Sequence, residues 1–485
     1  MFRILEQKVD DLHVDGMTTA PGLKDFILSK KRTAQFYGNI DDSSDLVSNF
    51  IAKSIEQDTI DELEDRYQIS LWKFLYAERR FFTHMHKRRY TSHNFTYEEL
   101  IRIGGWMLLY FEKALENIDC VVMQNPASSW AMAASIVAEH KGIPVRAIRS
   151  LAHPNDRAIW GDGAYEKWEN VNALFEVYSN NKDVPNDVLE LSKKFIIDFR
   201  SNTSQPPWIE QKDTQGSLSR VINAGKIKKL LRRIVKNKSL KSNSVAVSPT
   251  TFFKQLVMFK FYKKYTWLRA KSLFQSPKKG ERYAFFALHL EPEAALSVNG
   301  QHCLNQLALI EKIARQLPAG CRLYIKEHPT MVGWRSHNFY RSINKIPNVR
   351  NIDPRYTSIK LVEDAHCILT VNGTVGWEAT LRQKPVVTFG YSFYNELPGV
   401  QNCADLENIG NAVSMSVRRI STDEELAQFL SALFVCSFDL SYEYHWMVND
   451  DKYERIYDMS EETQKVADAL LKSFEDMQPI KVAGA

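Results

Sequence analysis

Three short stretches hold residue types suited to a phosphorylated ligand: Leu288-His289-Leu290-Glu291-Pro292-Glu293, Lys326-Glu327-His328-Pro329 and Asn372-Gly373-Thr374-Val375-Gly376-Trp377-Glu378. In the third, Gly373 and Gly376 let backbone approach a ligand closely. A helix starting near Val375 would aim free amides and its dipole at an anion. Thr374 can cap that helix or donate to a phosphate oxygen, and Glu378, one turn in, suits a ribose diol. The plainer alternative is a capped strand-to-helix turn. In the second stretch, His328 can donate to a phosphate or protonate a leaving oxygen, since an unperturbed imidazole has a pKa of about 6.5. Pro329 fixes the turn and keeps His328 extended. Lys326 adds positive charge, which Glu327 could neutralise. In the first stretch, Glu291 and Glu293 are candidate general bases toward an acceptor hydroxyl, or helix caps. Asp162 is a rival base from another part of the chain.

These stretches need elements to hold them. Each follows a short apolar run: Tyr283 to Ala287, Arg322 to Ile325, and Cys367 to Val371. Such runs, alternating with helix-length amphipathic segments, indicate a parallel α/β sheet, whose ligands collect at the carboxyl ends of its strands. A second unit of this kind is expected at 100–150. It has a helix from Tyr97, a strand Ile118 to Met123, a small-residue helix Trp130 to Lys141 and a strand near Val145. There Ser128 and Ser129 either cap the helix or bind substrate, with capping favoured. Residues 151–213, including Trp160-Gly161-Asp162-Gly163, read as loop-rich with a helix near Val188 to Phe199. Closing helices are expected at Asp423 to Phe434 and Glu461 to Phe474.

At 485 residues, 44% apolar and 25% charged, the chain fits two globular domains rather than a disordered or fibrous protein. No run approaches the roughly 20 apolar residues of a membrane span, and the start lacks a signal-peptide pattern. The six cysteines are scattered with no Cys-x-x-Cys pair, which points away from a metal site or disulfide framework and toward reduced cytoplasm. His84, His86 and His93 cluster, but i, i+2 histidines cannot share a helix face, so no metal is expected there.

Charge is unevenly placed. The net is +5, yet Thr214 to Gly280 holds 17 Lys or Arg and no Asp or Glu, so the remainder is acidic. Within this segment Ile227, Leu230, Leu231, Ile234 and Val235 form one helical stripe beside Lys228, Lys229, Arg232, Arg233 and Lys236. A basic amphipathic helix suits an anionic membrane surface or acidic polymer, or packs on its own domain as a solvated helix. Nucleic acid is not expected, because no reader motif accompanies the charge.

On Lys326-Glu327-His328-Pro329 and Asn372 to Ala379 followed by Lys384-Pro385-Val386-Val387, with support from Leu288 to Glu293, the sequence resembles the bacterial capsule polysaccharide biosynthesis family. That group includes Kdo transferases, and the resemblance covers about 283–400. It implies a GT-B-like α/β fold, two Rossmann-like domains facing a cleft, to which the chain's own pattern adds a basic helical insertion and C-terminal helices. The corresponding segments are 1–213, 214–280, 281–440 and 441–485. It further implies metal-independent, inverting transfer from a nucleotide sugar, commonly a CMP-activated keto sugar acid, with no other cofactor. His328 and Pro329 would hold the donor phosphate, and Asn372, Gly373 and Thr374 would complete the nucleotide pocket. The acceptor would be a glycan or glycolipid, met in the cytoplasm or at the inner face of the membrane. UDP- or CDP-linked transfer, nucleotide-sugar epimerisation and a non-catalytic assembly role are the alternatives.

Overall fold

The computed structural model describes residues 37–82, 93–201, 261–328 and 331–440 almost without interruption, with 460–475 and short stretches between 5 and 29. The chain divides into two compact units. The first comprises 1–77, 95–192 and 428–485; the second comprises 78–94 and 193–427.

In the first unit, strands β1 (Val14–Thr18) and β2 (Tyr37–Asp42) pair in parallel. A helix, Tyr97–Ala114, begins in a capping box: Glu99 N donates to Thr96 Oγ1, and Thr96 N donates to Glu99 Oε2 at 2.9 Å. Strand β3 (Val121–Met123), the helix Ser129–His140 and strand β4 (Val145–Ser150) make the expected parallel crossover. Beyond β4 the sheet turns antiparallel through β5 (Arg157–Asp162) and the strand Ser437–Asp439. The Trp160-Gly161-Asp162 stretch, read as loop from its turn residues, is therefore strand. Tertiary cover decides it, because Ala158, Ile159 and Trp160 are buried, and Ala158 and Trp160 pack against Val466, Ala467 and Leu470 of the helix Ser460–Glu475. Tertiary burial overriding local propensity is common for such segments.

The second unit is the more regular. Its strands are β6 (Tyr283–Ala287), β7 (Arg322–Lys326), β8 (Val349–Ile352), β9 (Cys367–Thr370), β10 (Val386–Thr388) and β11 (Val400–Asn402). All pairings are parallel, in the order β11-β10-β9-β6-β7-β8. Counted from β8, this is third, second, first, fourth, fifth, sixth in chain sequence, the order of doubly wound dinucleotide-binding sheets. Side chains alternate across it. Ala284, Phe286, Leu323, Ile325 and Leu369 join a core with Leu309, Ile310 and Ile313 of the helix Gln306–Gln316 and with Ile409 and Val413 of the helix Ile409–Arg418. The intervening Phe285, Tyr324 and Ile368 are buried too, so both faces are covered, as an all-parallel sheet requires. Each such large apolar side chain contributes about 1.5–3 kcal/mol on burial. The chain reverses direction across the sheet between β6 and β9, which is where such folds bind ligands.

Candidate functional site at the carboxyl ends of β6, β7 and β9

The three stretches singled out in the sequence follow β6, β7 and β9, the adjacent central strands, so the sheet order alone brings them together. His289 ties the first to the third. Its Nε2 accepts from Val371 N at 3.1 Å and lies 3.2 Å from Thr370 Oγ1. Accepting from a backbone amide requires an unprotonated Nε2, which places the ring proton on Nδ1. Burial, reinforced by the charges of His328 and Arg335, holds the His289 pKa down at about 3. The ring therefore stays neutral and keeps its acceptor toward β9. Its backbone is fixed as well: His289 N donates to Gln306 Oε1 at 2.8 Å, and its carbonyl accepts from Gln306 Nε2 at 3.2 Å.

A pH prediction follows from this ring. The unfolded chain binds a proton on His289 below about pH 6.5 and the folded chain does not. Stability should then fall with falling pH, starting near 6.5, by about 1 kcal/mol per unit from this group alone. His289→Leu should lower stability at neutral pH, because Val371 N loses its acceptor, yet flatten the acid limb of unfolding free energy against pH. An unchanged acid limb in His289→Leu denaturation curves would remove His289 as its source.

Beneath the first two loops lies an ionic cluster in which Arg335 and Glu327 are buried and Glu291 is half-buried. Arg335 Nε donates to Glu327 Oε2 at 3.0 Å, Nη1 to Glu291 Oε1 at 2.9 Å and Nη2 to the His289 carbonyl at 2.6 Å. Glu327 also accepts from Tyr340 Oη at 2.7 Å and from His328 N at 2.8 Å. Burial pushes the Glu327 carboxyl upward against the pull of Arg335 and Tyr340. Glu291 is held further by Gln306 Nε2. Glu327, a possible partner of Lys326 by sequence, pairs instead with Arg335, a residue outside every motif. Arg335, Tyr340 and Gln306 were not foreseen, and only their placement in the fold reveals them.

The third loop presents an open helix start. Gly373 occupies the N-cap of the helix Thr374–Leu381 in an extended conformation, and no side chain caps it. Thr374 is exposed at its mouth. The amides of the first turn can therefore meet an anion. Behind them, Tyr394 Oη donates to the Gly373 carbonyl at 2.8 Å, and Asn372 Nδ2 donates to the Tyr391 carbonyl. Asn372 thus braces the turn from behind.

Lys326, at the end of β7, is buried and donates from Nζ to Ser358 Oγ at 2.6 Å. Burial brings its pKa down to about 8, while Asp353 and Glu378 work in the opposite direction. Lys326 is thereby electrostatically linked to Glu378 on the helix after β9, and His328, half-buried, to His289. Lys326, His328, Asn372, Gly373, Thr374, Val375, Gly376 and Glu378 consequently belong to one strand-end region of one unit. Pro329 and the cations Lys228, Lys229, Arg232, Arg233 and Lys236 lie outside the described residues.

Of the three candidate bases, Glu291 is engaged by Arg335. Glu293 is exposed and sits at the N-cap of the short helix Ala294–Ser297 without capping it by side chain. Asp162 belongs to the first unit, where Arg146 Nη1 donates to it at 2.5 Å and burial raises its pKa. Arg146 in turn donates to the Ser473 carbonyl at 2.9 Å, so Asp162 helps anchor the C-terminal helix. Ser128 is a cap, accepting from Ala131 N at 3.3 Å, and the buried Ser129 donates to the Leu75 carbonyl. Among the described residues no group of His, Cys, Asp and Glu has the arrangement of a metal site.

Residues 208–432, a little under half of the chain, match the family model described as capsule polysaccharide biosynthesis protein. Over that span the chain is similar to the capsule polysaccharide biosynthesis family. The span contains the doubly wound sheet and all three loops. No curated protein matches the sequence. Among solved structures, the chain is similar to the β-Kdo 2,7-transferase of Thermosulfurimonas dismutans KpsC, at 12% identity and a TM-score of 0.34, covering 80% of this chain and 96% of that one. For the β-Kdo 2,4-transferase of the same KpsC the values are 14% and 0.33, covering 67% and 82%. For a Methanocaldococcus jannaschii UDP-GlcNAc 2-epimerase with UDP-GlcNAc and UDP they are 14% and 0.25, covering 87% and 99%.

Proposed function

We propose that the chain is a nucleotide-sugar-dependent glycosyltransferase of capsule polysaccharide synthesis. The donor would be a CMP-activated keto sugar acid, such as Kdo or a nonulosonic acid, and the acceptor a surface glycan or glycolipid. The observation that carries this reading is the convergence of the three loops at the switch point of the sheet. An uncapped helix start, His328 and Lys326 supply positive potential there, and Glu378 offers a carboxylate to a ribose.

The chemistry needs no metal. An acceptor hydroxyl oxygen attacks the anomeric carbon, the bond from that carbon to the phosphate oxygen breaks, and the hydroxyl proton passes to a carboxylate. Amides at Thr374 and Val375 with His328 stabilise the departing phosphate, as preorganised donors do in metal-free sites. In the second unit Glu293 and Glu291 are the candidate bases, Glu291 being ion-paired to Arg335. One displacement inverts the anomeric centre, whereas a covalent sugar–carboxylate intermediate retains it; NMR of the product would tell them apart.

The first test is nucleotide selectivity. In a thermal-shift screen of CMP, CDP, UDP and GDP, CMP should stabilise the protein most. His328→Ala should weaken that binding about tenfold or more, the cost of one charge-assisted hydrogen bond. Binding of none of the four would sink the proposal. Stabilisation by UDP alone, with release of free epimerised sugar and no acceptor, would replace transfer by epimerisation. Function that survives His328→Ala and Glu378→Ala would point to a non-catalytic assembly subunit.

A further inference from the structure

In the second unit, the helix over residues 261–270 turns three of its large apolar side chains outward. Thr266 and Ala270 are buried, and Trp267 packs on Phe274 with ring centroids 5.6 Å apart. Gly333, at φ 82°, has no side chain to obstruct the Lys263 carbonyl, which a Cβ there would overlap. These contacts fix the inward face. Phe261, Tyr265 and Leu268 are 67%, 57% and 51% exposed. At 3.6 residues per turn these three fall within an arc of about 60° on the outward face. Lys264 and Arg269, both exposed, flank the stripe on either side, and Arg269 Nη1 donates to Tyr265 Oη at 2.8 Å. Lys271, Lys278 and Lys279 follow, all exposed.

A stripe of large apolar side chains turned to water is costly unless something covers it. The surrounding charge says what. No Asp or Glu occurs between Thr214 and Gly280, so the sequence around the stripe is of one sign. Aromatic and aliphatic side chains bordered by cations are the composition of a helix lying in the headgroup layer of an anionic bilayer. We infer that the outward face of residues 261–271 docks on an anionic phospholipid surface, with Phe261, Tyr265 and Leu268 inserted at the interface and Lys264, Arg269 and Lys271 on the headgroups. No helix among the described residues is long and apolar enough to cross a membrane, so this contact is peripheral in kind. It requires nothing of the nucleotide site.

Flotation of the full chain with vesicles tests it, using phosphatidylcholine with and without phosphatidylglycerol. The chain should float with the anionic vesicles and not the neutral ones, less so at high salt. The triple variant Phe261→Ser, Tyr265→Ser, Leu268→Ser and the double variant Lys264→Glu, Arg269→Glu should each lower partition about tenfold or more. Both should retain CMP binding and the parent melting temperature, because all five side chains are exposed. Should the triple variant melt early, the charge-reversal pair decides. No flotation with anionic vesicles, equal flotation with neutral ones, or variants that partition like the parent would overturn the assignment. So would a change from dimer to monomer in these variants with vesicle binding intact, since the face would then join copies of the chain.

Discussion

Arg335→Met should lower the unfolding free energy by about 3–5 kcal/mol, the cost of leaving a buried charge without its partner. Arg335 forms ion pairs with both Glu327 and Glu291, and the Glu327 side chain is fully buried. Methionine fills much of the arginine volume, so the loss measures charge more than cavity. The double variant Arg335→Met, Glu327→Gln should recover part of the loss, because it removes the stranded carboxylate together with its partner. Contacting groups of this kind couple by about 0.5–3 kcal/mol. Urea denaturation of the two single variants and the double would measure the coupling; strict additivity would mean that Arg335 and Glu327 do not act as a pair. A functional consequence accompanies the stability one. Arg335 also holds the His289 carbonyl, and His289 holds Val371 N, so the cluster positions the turn at Asn372-Gly373-Thr374. Arg335→Lys, which keeps the charge but loses the three-way geometry, should retain more stability than Arg335→Met while still weakening CMP binding.

This chain of contacts shows why the site was only half legible in sequence. Strand ends can be read locally, since an apolar run followed by Gly, Pro or His marks where a β-strand stops. The three loops were found that way, and the sheet order then placed them together. The partners that hold them are remote: His289 reaches Val371 across 82 residues and Arg335 reaches Glu291 across 44. Nothing in the spacing of a lone Arg or His foretells such a bond. For the same reason the first 50 residues were silent, as β1 and β2 have few apolar residues and gain their identity by pairing with each other. The stretch at 157–162 shows the reverse failure. Its Gly and Asp signal a turn, but burial of Ala158 and Trp160 beneath a helix about 300 residues later makes it strand. The apolar stripe expected at 227–235 lies outside the described residues; the one that can be described, 261–268, was hidden because half its residues face the domain.

Gly376→Ala should separate the donor pocket from the scaffold beneath it. A Cβ at 376 would overlap Tyr394 Oη and come within 2.9 Å of Thr370 Cγ2. Tyr394 has little room to yield: it is buried, and its ring packs on Trp377 with centroids 5.9 Å apart. Overpacking of this sort costs about 1–3 kcal/mol. The displaced hydroxyl would also leave the Gly373 carbonyl, freeing the turn whose amides are proposed to meet the phosphate. Nucleotide affinity should therefore fall by more than global instability explains, about tenfold or more at temperatures where the variant remains folded. Tyr394→Phe removes the hydroxyl but keeps the ring, so it should loosen the turn with a smaller stability loss, near the 0.5–1.5 kcal/mol of one hydrogen bond. In the double variant, part of the Gly376→Ala clash disappears with the hydroxyl, while the affinity loss persists because the brace is gone. Calorimetric titration with CMP beside urea denaturation would resolve the two effects. Wild-type affinity in Tyr394→Phe would show that the Gly373 turn is not what holds the phosphate, and would move the donor site toward His328 and Lys326 alone.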